Sequence, residues 1–427
     1  MKRRKTLIGG LALCTAAILA LAGCSGNAGG AAKSGGSSKD LSGQTINYWY
    51  WQDVTTDTTI QDLAKKFKAE TGITVNLMNT VAQPDYFQTL VNGIAAGNGP
   101  DATQLDTNML GKLITSNSLE NLNDEIKGWD KAGDITKTLW PYVENADESV
   151  KYAVPLKFLM FYMYYRADIF KELGLQVPKT QKEFVDTANK IAAAGNGHYG
   201  FDIRGGANGQ DQWAAFMVAG GGRFVKDGKV AFNSDATRTA NDLYAEAFKS
   251  APPGSINDGL PQVIENLKAG TATMAINHLG SAHSLSDALG DKLGVALIPS
   301  ATGDPTKTTY MGTMNMTAVL ATSQHKEAAF KWISYLGQAD AQLAIAKSPN
   351  GYLPVVGSVA DNAAFKDNKF FQTSIEAAKY GALAWPPLPG TTKASTQTWQ
   401  PLFQGALLGK NSNDDVVKGV ADALAEK

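Results

Sequence analysis

Cysteine and histidine are nearly absent: the 427 residues hold two cysteines, Cys14 and Cys24, and four histidines, His198, His278, His283 and His325. A disulfide framework is excluded, and so is a Cys/His cage for a transition metal, because His278 and His283 stand five apart with no cluster around them. No Gly-x-Ser-x-Gly turn offers a hydrolase nucleophile, so catalytic residues, cofactors and metal ligands are all expected to be none. Charge of one sign is lacking too. Lys plus Arg total 39 against 40 Asp plus Glu, without the basic stripe that nucleic-acid binding needs, and nucleic acid is not expected as a partner. No repeat of 20 to 50 residues marks a solenoid or a repeat adhesin. The Gly-rich GGANG at 205–209 lacks the strand context of a phosphate loop and reads as a turn.

What is present begins with a secretory pattern. Lys2, Arg3, Arg4 and Lys5 precede an uncharged apolar run over residues 7–21 and then Leu21-Ala22-Gly23-Cys24. These last four residues resemble the bacterial lipobox, which implies removal of residues 1–23 and a lipid on Cys24. Cys14 would leave with the signal, and the loss of four basic residues would make the mature chain more acidic than the full-length net charge of −1. Residues 24–40, almost all Gly, Ser, Ala and charge, bury no apolar area and form a flexible tether with a reach on the order of 20 Å.

The folded part reads as α/β. A buried strand at 45–51, a helix at 58–70 stopped by Thr71-Gly72, and a strand at 73–78 make a βαβ unit, followed by a helix at 85–96 and a strand at 102–105. Such alternation predicts a parallel, doubly wound sheet. A second α/β region starts after Tyr152-Ala153-Val154-Pro155 with a long apolar run at 156–165. It continues with helices at 181–193, 212–219 and 236–249 and short strands at 273–276 and 295–298.

Nine segments in one order then resemble a known family: YWYW (48–51), AAGNGPDATQLD (95–106), YAVPLKFLMFYMYYRADIFKELGL (152–175), VPKTQKEF (177–184), GG (221–222), LKAGTATMAIN (267–277), MGTMN (311–315), HKEAAFKWISYL (325–336) and NGYLPV (350–355). The chain is similar to the extracellular solute-binding lipoproteins of bacterial carbohydrate ABC importers, with the fold of maltose-binding protein. The resemblance implies two α/β lobes joined by three crossings near 157–161, 311–315 and 356–360. The first lobe would be 41–157 plus 316–358, the second 158–315 plus 359–427. It implies a monomer that captures a sugar or oligosaccharide between the lobes and delivers it to permease subunits at the outer face of the cell membrane. A secreted carbohydrate-active enzyme, or capture of a non-sugar solute, is the alternative. The chain departs from the family at Glu148–Ala153 and at Asn277-His278-Leu279-Gly280, where a stacking aromatic is often found.

A sugar asks for aromatic rings against its C–H faces and polar groups around its hydroxyls. Ligands of open α/β sheets sit beyond the carboxyl ends of the strands, which selects Trp51, Gln52 and Asp53 after the first strand and Asp106, Thr107 and Asn108 after the third. Trp49 shares a strand face with Trp51, and in a sheet covered on both sides either can be core instead. Asp53 and Asp106 serve equally as cap or turn residues. In the second lobe the candidates are Trp213, His278, Trp385 before the Pro-rich stretch 386–390, and Trp399. For Trp213 and Trp399 a buried helix face is the competing reading. Gln83, Tyr86, Lys157 and Asn315 complete the candidate set.

Overall fold

Tyr and Trp alternate along the first strand, and the alternation decides what the sheet buries on each side. In a computed structural model, which describes residues 40–427 except 53, 55, 80–82, 146–147, 350 and 427, β1 (Thr45–Tyr50) turns Tyr48 and Tyr50 toward Leu63, Phe67 and Trp332. Trp49 and the following Trp51 pack on the opposite side with Tyr86 and Leu90. The secretory segment, Cys24 and all of the tether but Asp40 lie outside the described residues, as does Asp53. Helix α1 (Thr59–Thr71) covers the Tyr face and ends at Gly72, whose φ of 73° is left-handed and whose N–H returns to the Lys68 carbonyl. Glycine takes that conformation without the Cβ penalty other residues meet.

The chain then lays β2 (Thr74–Asn79) parallel to β1, with Thr45 opposite Thr74 and Tyr50 opposite Asn79. Helix α2 (Gln83–Ala95) covers the Trp face, and β3 (Ala102–Asp106), buried along its whole length, pairs with the other edge of β1 and runs straight into α3 (Thr107–Thr115). The parallel βαβ start stands as expected. The rest of the sheet is mixed.

The long apolar run becomes β4 (Val154–Arg166), thirteen residues of which only Tyr165 is incompletely buried. Burial on both faces explains why the run is continuous rather than alternating. The remaining strands are β5 (Tyr199–Asp202), the hairpin β6 (Val225–Lys226) and β7 (Lys229–Val230), β8 (Ala272–His278), β9 (Leu293–Ala296), β10 (Tyr310–Val319) and β11 (Ala382–Leu383). The main sheet runs β2-β1-β3-β10-β4-β8-β5, with β9 also on β4 and β11 also on β10. β10 is antiparallel to both β3 and β4, and β4 is antiparallel to β8 and β9.

Two of these strands link the two ends of the sheet. β4 pairs with β10 over Val154–Met160 and with β8 and β9 over Phe161–Arg166. β10 opens against β11 at Tyr310 and Met311 and then passes between β4 and β3. The segment 353–356 lies beside them: Phe158 and Leu353 exchange backbone hydrogen bonds of 3.1 and 3.0 Å, and the N–H of Val355 donates to the buried Gln342 side chain at 2.9 Å.

Toward the β5 end of the sheet, helices pack on β4, β8 and β5. Thr180 and Glu183 form a reciprocal capping box at the start of helix Gln181–Ala193, satisfying two orphan N–H groups. Helix Gly209–Ala219 is buried at every residue except Asp211, helices Asp235–Ala247 and Trp399–Leu407 pack on it, and helix Asn413–Leu424 packs on those two. Leu41–Lys427 forms one compact unit.

Candidate functional site

Where β3, β10 and β4 lie side by side, three polar residues fall in one row: Asn315 stands opposite Asp106 on one side and opposite Lys157 on the other. Residues in register across neighbouring strands point to the same face, so the row is a property of the sheet. Gln104 donates to Asn315 Oδ1 at 3.3 Å, and Lys157 Nζ lies 3.9 Å above the Tyr352 ring centroid. All three residues of the row are buried. Asp106 also caps α3, accepting from the Asn108 backbone N–H at 2.9 Å.

A second cluster gathers where α3 meets the segment after β11. Trp385 donates its indole N–H to Asp211 at 2.8 Å. Burial pushes the Asp211 carboxyl up to about 6, against the pull of the Trp385 N–H, the Arg204 charge and the Asn108 amide. Thr392 donates to the Asn108 carbonyl at 2.6 Å. A Cβ on Gly111 of α3 would lie only 2.3 Å from the Leu388 carbonyl oxygen, so the backbone of the Pro-rich segment rests directly on this helix. Asn108 belongs to the sheet half built on β1–β3, whereas Asp211, Trp385 and Thr392 belong to the other. The cluster ties the two together.

The sequence profile described as bacterial extracellular solute-binding protein matches residues 62–373. The chain belongs to that family. A binding protein of Brucella abortus is 27% identical over 386 residues, covering 86% of this chain and 90% of the relative. The alpha-glucosides-binding periplasmic protein AglE of Rhizobium meliloti is 27% identical over 185 residues, 41% of this chain and 39% of its own length. Among solved structures, the solute-binding protein of Thermotoga lettingae bound with alpha-D-tagatose superposes with a TM-score of 0.79 at 24% identity, over 90% of this chain and 99% of that one. The acarbose-binding GacH receptor of Streptomyces glaucescens gives 0.77 at 19% identity, over 90% and 98%. Maltose-bound MalE3 of T. maritima gives 0.75 at 22% identity, over 89% and 98%. At these identities the structures establish the two-lobed periplasmic-binding fold. Membership of the extracellular family places the protein outside the cytoplasm, and no helix among the described residues is long and apolar enough to cross a membrane.

In this solute-binding protein the predicted positions separate into groups. Asp106, Lys157 and Asn315 share the row at the crossing strands, and Asn108 and Trp385 meet at Asp211. Trp51 follows β1, with its ring 5.0 Å from that of Tyr86. The Tyr86 hydroxyl is engaged within its own sheet half, donating to the Trp49 carbonyl at 2.9 Å and bonded to Thr103, and burial raises its pKa. Trp49 is wedged under α2, where a Cβ on Gly93 would touch its ring at 2.8 Å. Gln83 begins α2. His278 ends β8, and its Nδ1 accepts from the Gly280 N–H at 3.1 Å while its carbonyl accepts from Tyr164 at 3.0 Å.

Trp213 and Trp399 are fully buried in the core around helix Gly209–Ala219. Rings run in contact from Trp385 to Phe224 (4.6 Å), Phe232 (4.9 Å), Trp213 (5.5 Å), Trp399 (6.1 Å) and Phe403 (4.9 Å). Trp213 spends its N–H on Asn241 at 2.7 Å. Such chains arise because offset and edge-on ring pairs are favourable beyond their burial. Asp211, Tyr352, Gln104 and Thr392 escaped the sequence reading. For Asp211 a signal existed: it is the one acidic residue in an otherwise wholly buried helix, and a carboxylate there needs partners.

Proposed function

We propose that the protein captures a sugar or oligosaccharide between its two lobes and hands it to the permease of an ABC importer. The lobes are 41–157 plus 316–358 and 158–315 plus 359–427, and the chain works as a monomer tethered to the outer face of the cell membrane through a lipid on Cys24. Bending at 157–161, 311–315 and 356–360 opens and closes the cleft, and no bond of the ligand is broken.

The observation that carries this reading is the pair of strands common to both lobes, β4 and β10, with buried Asp106, Asn315 and Lys157 in register beside the crossing and Asn108 facing Asp211 and Trp385 across the boundary. Aromatic rings and hydrogen-bonding side chains from both lobes are what a polyhydroxylated ligand requires. Trp51 and Trp385 supply ring area beside these polar groups, and His278 completes the proposed wall. The tagatose-, acarbose- and maltose-binding neighbours agree with a carbohydrate cargo.

A thermal-shift screen against mono- and oligosaccharides tests it. A ligand present at one hundred times its Kd and bound only by the folded state adds about 2.7 kcal/mol of stability, a rise of several degrees. Stabilisation by amino acids or peptides, with no response to any sugar, would replace carbohydrate by another solute.

A further inference from the structure

The 3₁₀ segment Lys137–Val143 is fastened to its own half of the sheet at both ends. The Thr136 N–H donates to the Val355 carbonyl at 2.9 Å, and the Val143 carbonyl accepts from the Tyr152 N–H at 2.9 Å. Leu139 and Val143 are buried in one core with Phe158. Tyr142 spends its hydroxyl elsewhere, donating to the backbone carbonyl of Ala382, 240 residues along the chain. Ala382 opens β11, which is fixed in turn to β10: it pairs with Tyr310, whose N–H donates to the Gly381 carbonyl at 3.1 Å. The Tyr142 bond therefore joins a segment of the first proposed lobe to a strand of the second.

Its place on the sheet keeps it apart from the polar row. The Tyr142 ring lies 6.1 Å from that of Phe158, and Phe158 follows Lys157 directly in β4. Neighbours along a strand face opposite sides, and Lys157 turns its ammonium toward Tyr352 on the other one. Burial pushes the Tyr142 phenol up to about 12, so the hydroxyl keeps its proton and remains a donor at any physiological pH.

We propose that Tyr142 is a latch: its hydroxyl on the Ala382 carbonyl favours the lobe arrangement in which α3 carries the Pro-rich segment, and so sets how long a captured ligand is held without touching it. The inference rests on the capture between two lobes proposed above. A tie present in one arrangement and lost in the other shifts the balance by the difference in free energy. Because ligand enters before the lobes close, the latch acts on release rather than on entry.

Tyr142→Phe provides the test, since it keeps the ring against Phe158 and removes only the donor. Binding kinetics of the purified protein are measured with maltose, D-tagatose and D-mannitol. For the sugar bound most tightly, the variant is expected to release it about three- to tenfold faster, the worth of one hydrogen bond, at an unchanged association rate. The same ratio is expected at pH 6 and pH 9, because the hydroxyl does not titrate between them. A lowered melting temperature with an unchanged release rate would make the bond merely structural and overturn the inference, leaving sugar capture standing. Slower release would place the bond in the open arrangement and overturn it too. If Tyr142→Phe does not fold, Tyr142→Met, which also lacks the donor, carries the same expectation. Should amino acids or peptides bind in place of the sugars and leave the variant faster, the latch stands and the sugar reading falls. A wild-type radius of gyration that does not change at saturation overturns hinge capture and the latch together.

Discussion

Asp202, the last residue of β5, is buried, and burial pushes its carboxyl up to about 7, with the Asn266 amide pulling down and Asp258 adding to the rise. The folded protein therefore holds this proton more tightly than the unfolded chain, whose Asp titrates near 4. Stability from the protonated form is complete below about pH 4, falls as the pH climbs toward 7, and levels off above. At about 1.36 kcal/mol per unit the loss is on the order of 4 kcal/mol, and Asp211, raised to about 6, adds loss of the same sign. Asp202→Asn should flatten the melting temperature between pH 4 and 7 and raise it at pH 8; an unchanged pH profile would mean that the carboxyl stays ionised when folded. Trp385 and Trp399 make a second comparison. If a ring stacks on sugar, its change to Ala costs roughly 2 kcal/mol of binding, about thirtyfold in Kd, with the fold intact. If it only fills the core, the change costs on the order of 3 to 5 kcal/mol of stability and the surviving protein binds normally. Trp399, fully buried between Trp213 and Phe403, is expected to follow the core outcome. Trp385 is equally buried, but its N–H is bonded to Asp211 beside the proposed cleft, so it is expected to lose affinity, and melting temperature with Kd measured on each variant separates the cases.

At the scale of elements, α3 is the seat on which the Pro-rich segment after β11 rests. Its Gly111 permits contact with the Leu388 carbonyl, and backbone cannot step aside as a flexible side chain can. Gly111→Val should leave the melting temperature within a few degrees of wild type while lowering sugar affinity at least tenfold, because the 386–390 segment can no longer settle on the helix; unchanged affinity would show that this contact is incidental to closure. Elements with local causes were legible in the sequence. Residues 45–79 were readable as strand, helix, strand because alternation, helical spacing and a Gly stop all lie within the segment, and 181–193 was readable because its apolar positions repeat at helical spacing. The placement of β10 was not, since its pairing with β3 and β4 joins residues separated by long stretches of chain. Asp211 escaped for the same reason: its partner Trp385 lies 174 residues away, and no local pattern encodes that bond. The Trp chain shows the complementary limit, because spacing identifies an aromatic residue without telling a ring that waits for ligand from one that packs on Phe224, Phe232 and Phe403.

On the scale of the whole molecule, the proposed tethering and the proposed closure are tested separately. Cys24→Ala should release the protein from membranes or block removal of the leader, read by fractionation and lipid labelling, and a variant still processed, labelled and membrane-bound would refute the anchor. The proposed closure would be absorbed by the strands common to both proposed lobes, and a strand bends most easily where its ladder is already broken. The β10–β4 pairing has such a break: Asn315 stands opposite Lys157, but the next residue, Met316, stands opposite Pro155, and the register shifts between them. Proline lacks the N–H that would bond across, so the ladder is weakened beside the polar row proposed to meet ligand. Rotation there would move Asn108 and Gly111 against Asp211, Trp385 and Leu388 while leaving each core packed. Solution scattering should therefore show a smaller radius of gyration on adding the correct sugar, as hinge closure requires. Gly111→Val should keep the larger radius at a sugar concentration that saturates the wild type. If the wild-type radius does not change at saturation, binding proceeds without hinge motion; if the variant closes as far as wild type, the hinge stands and the α3 seat is not what limits it.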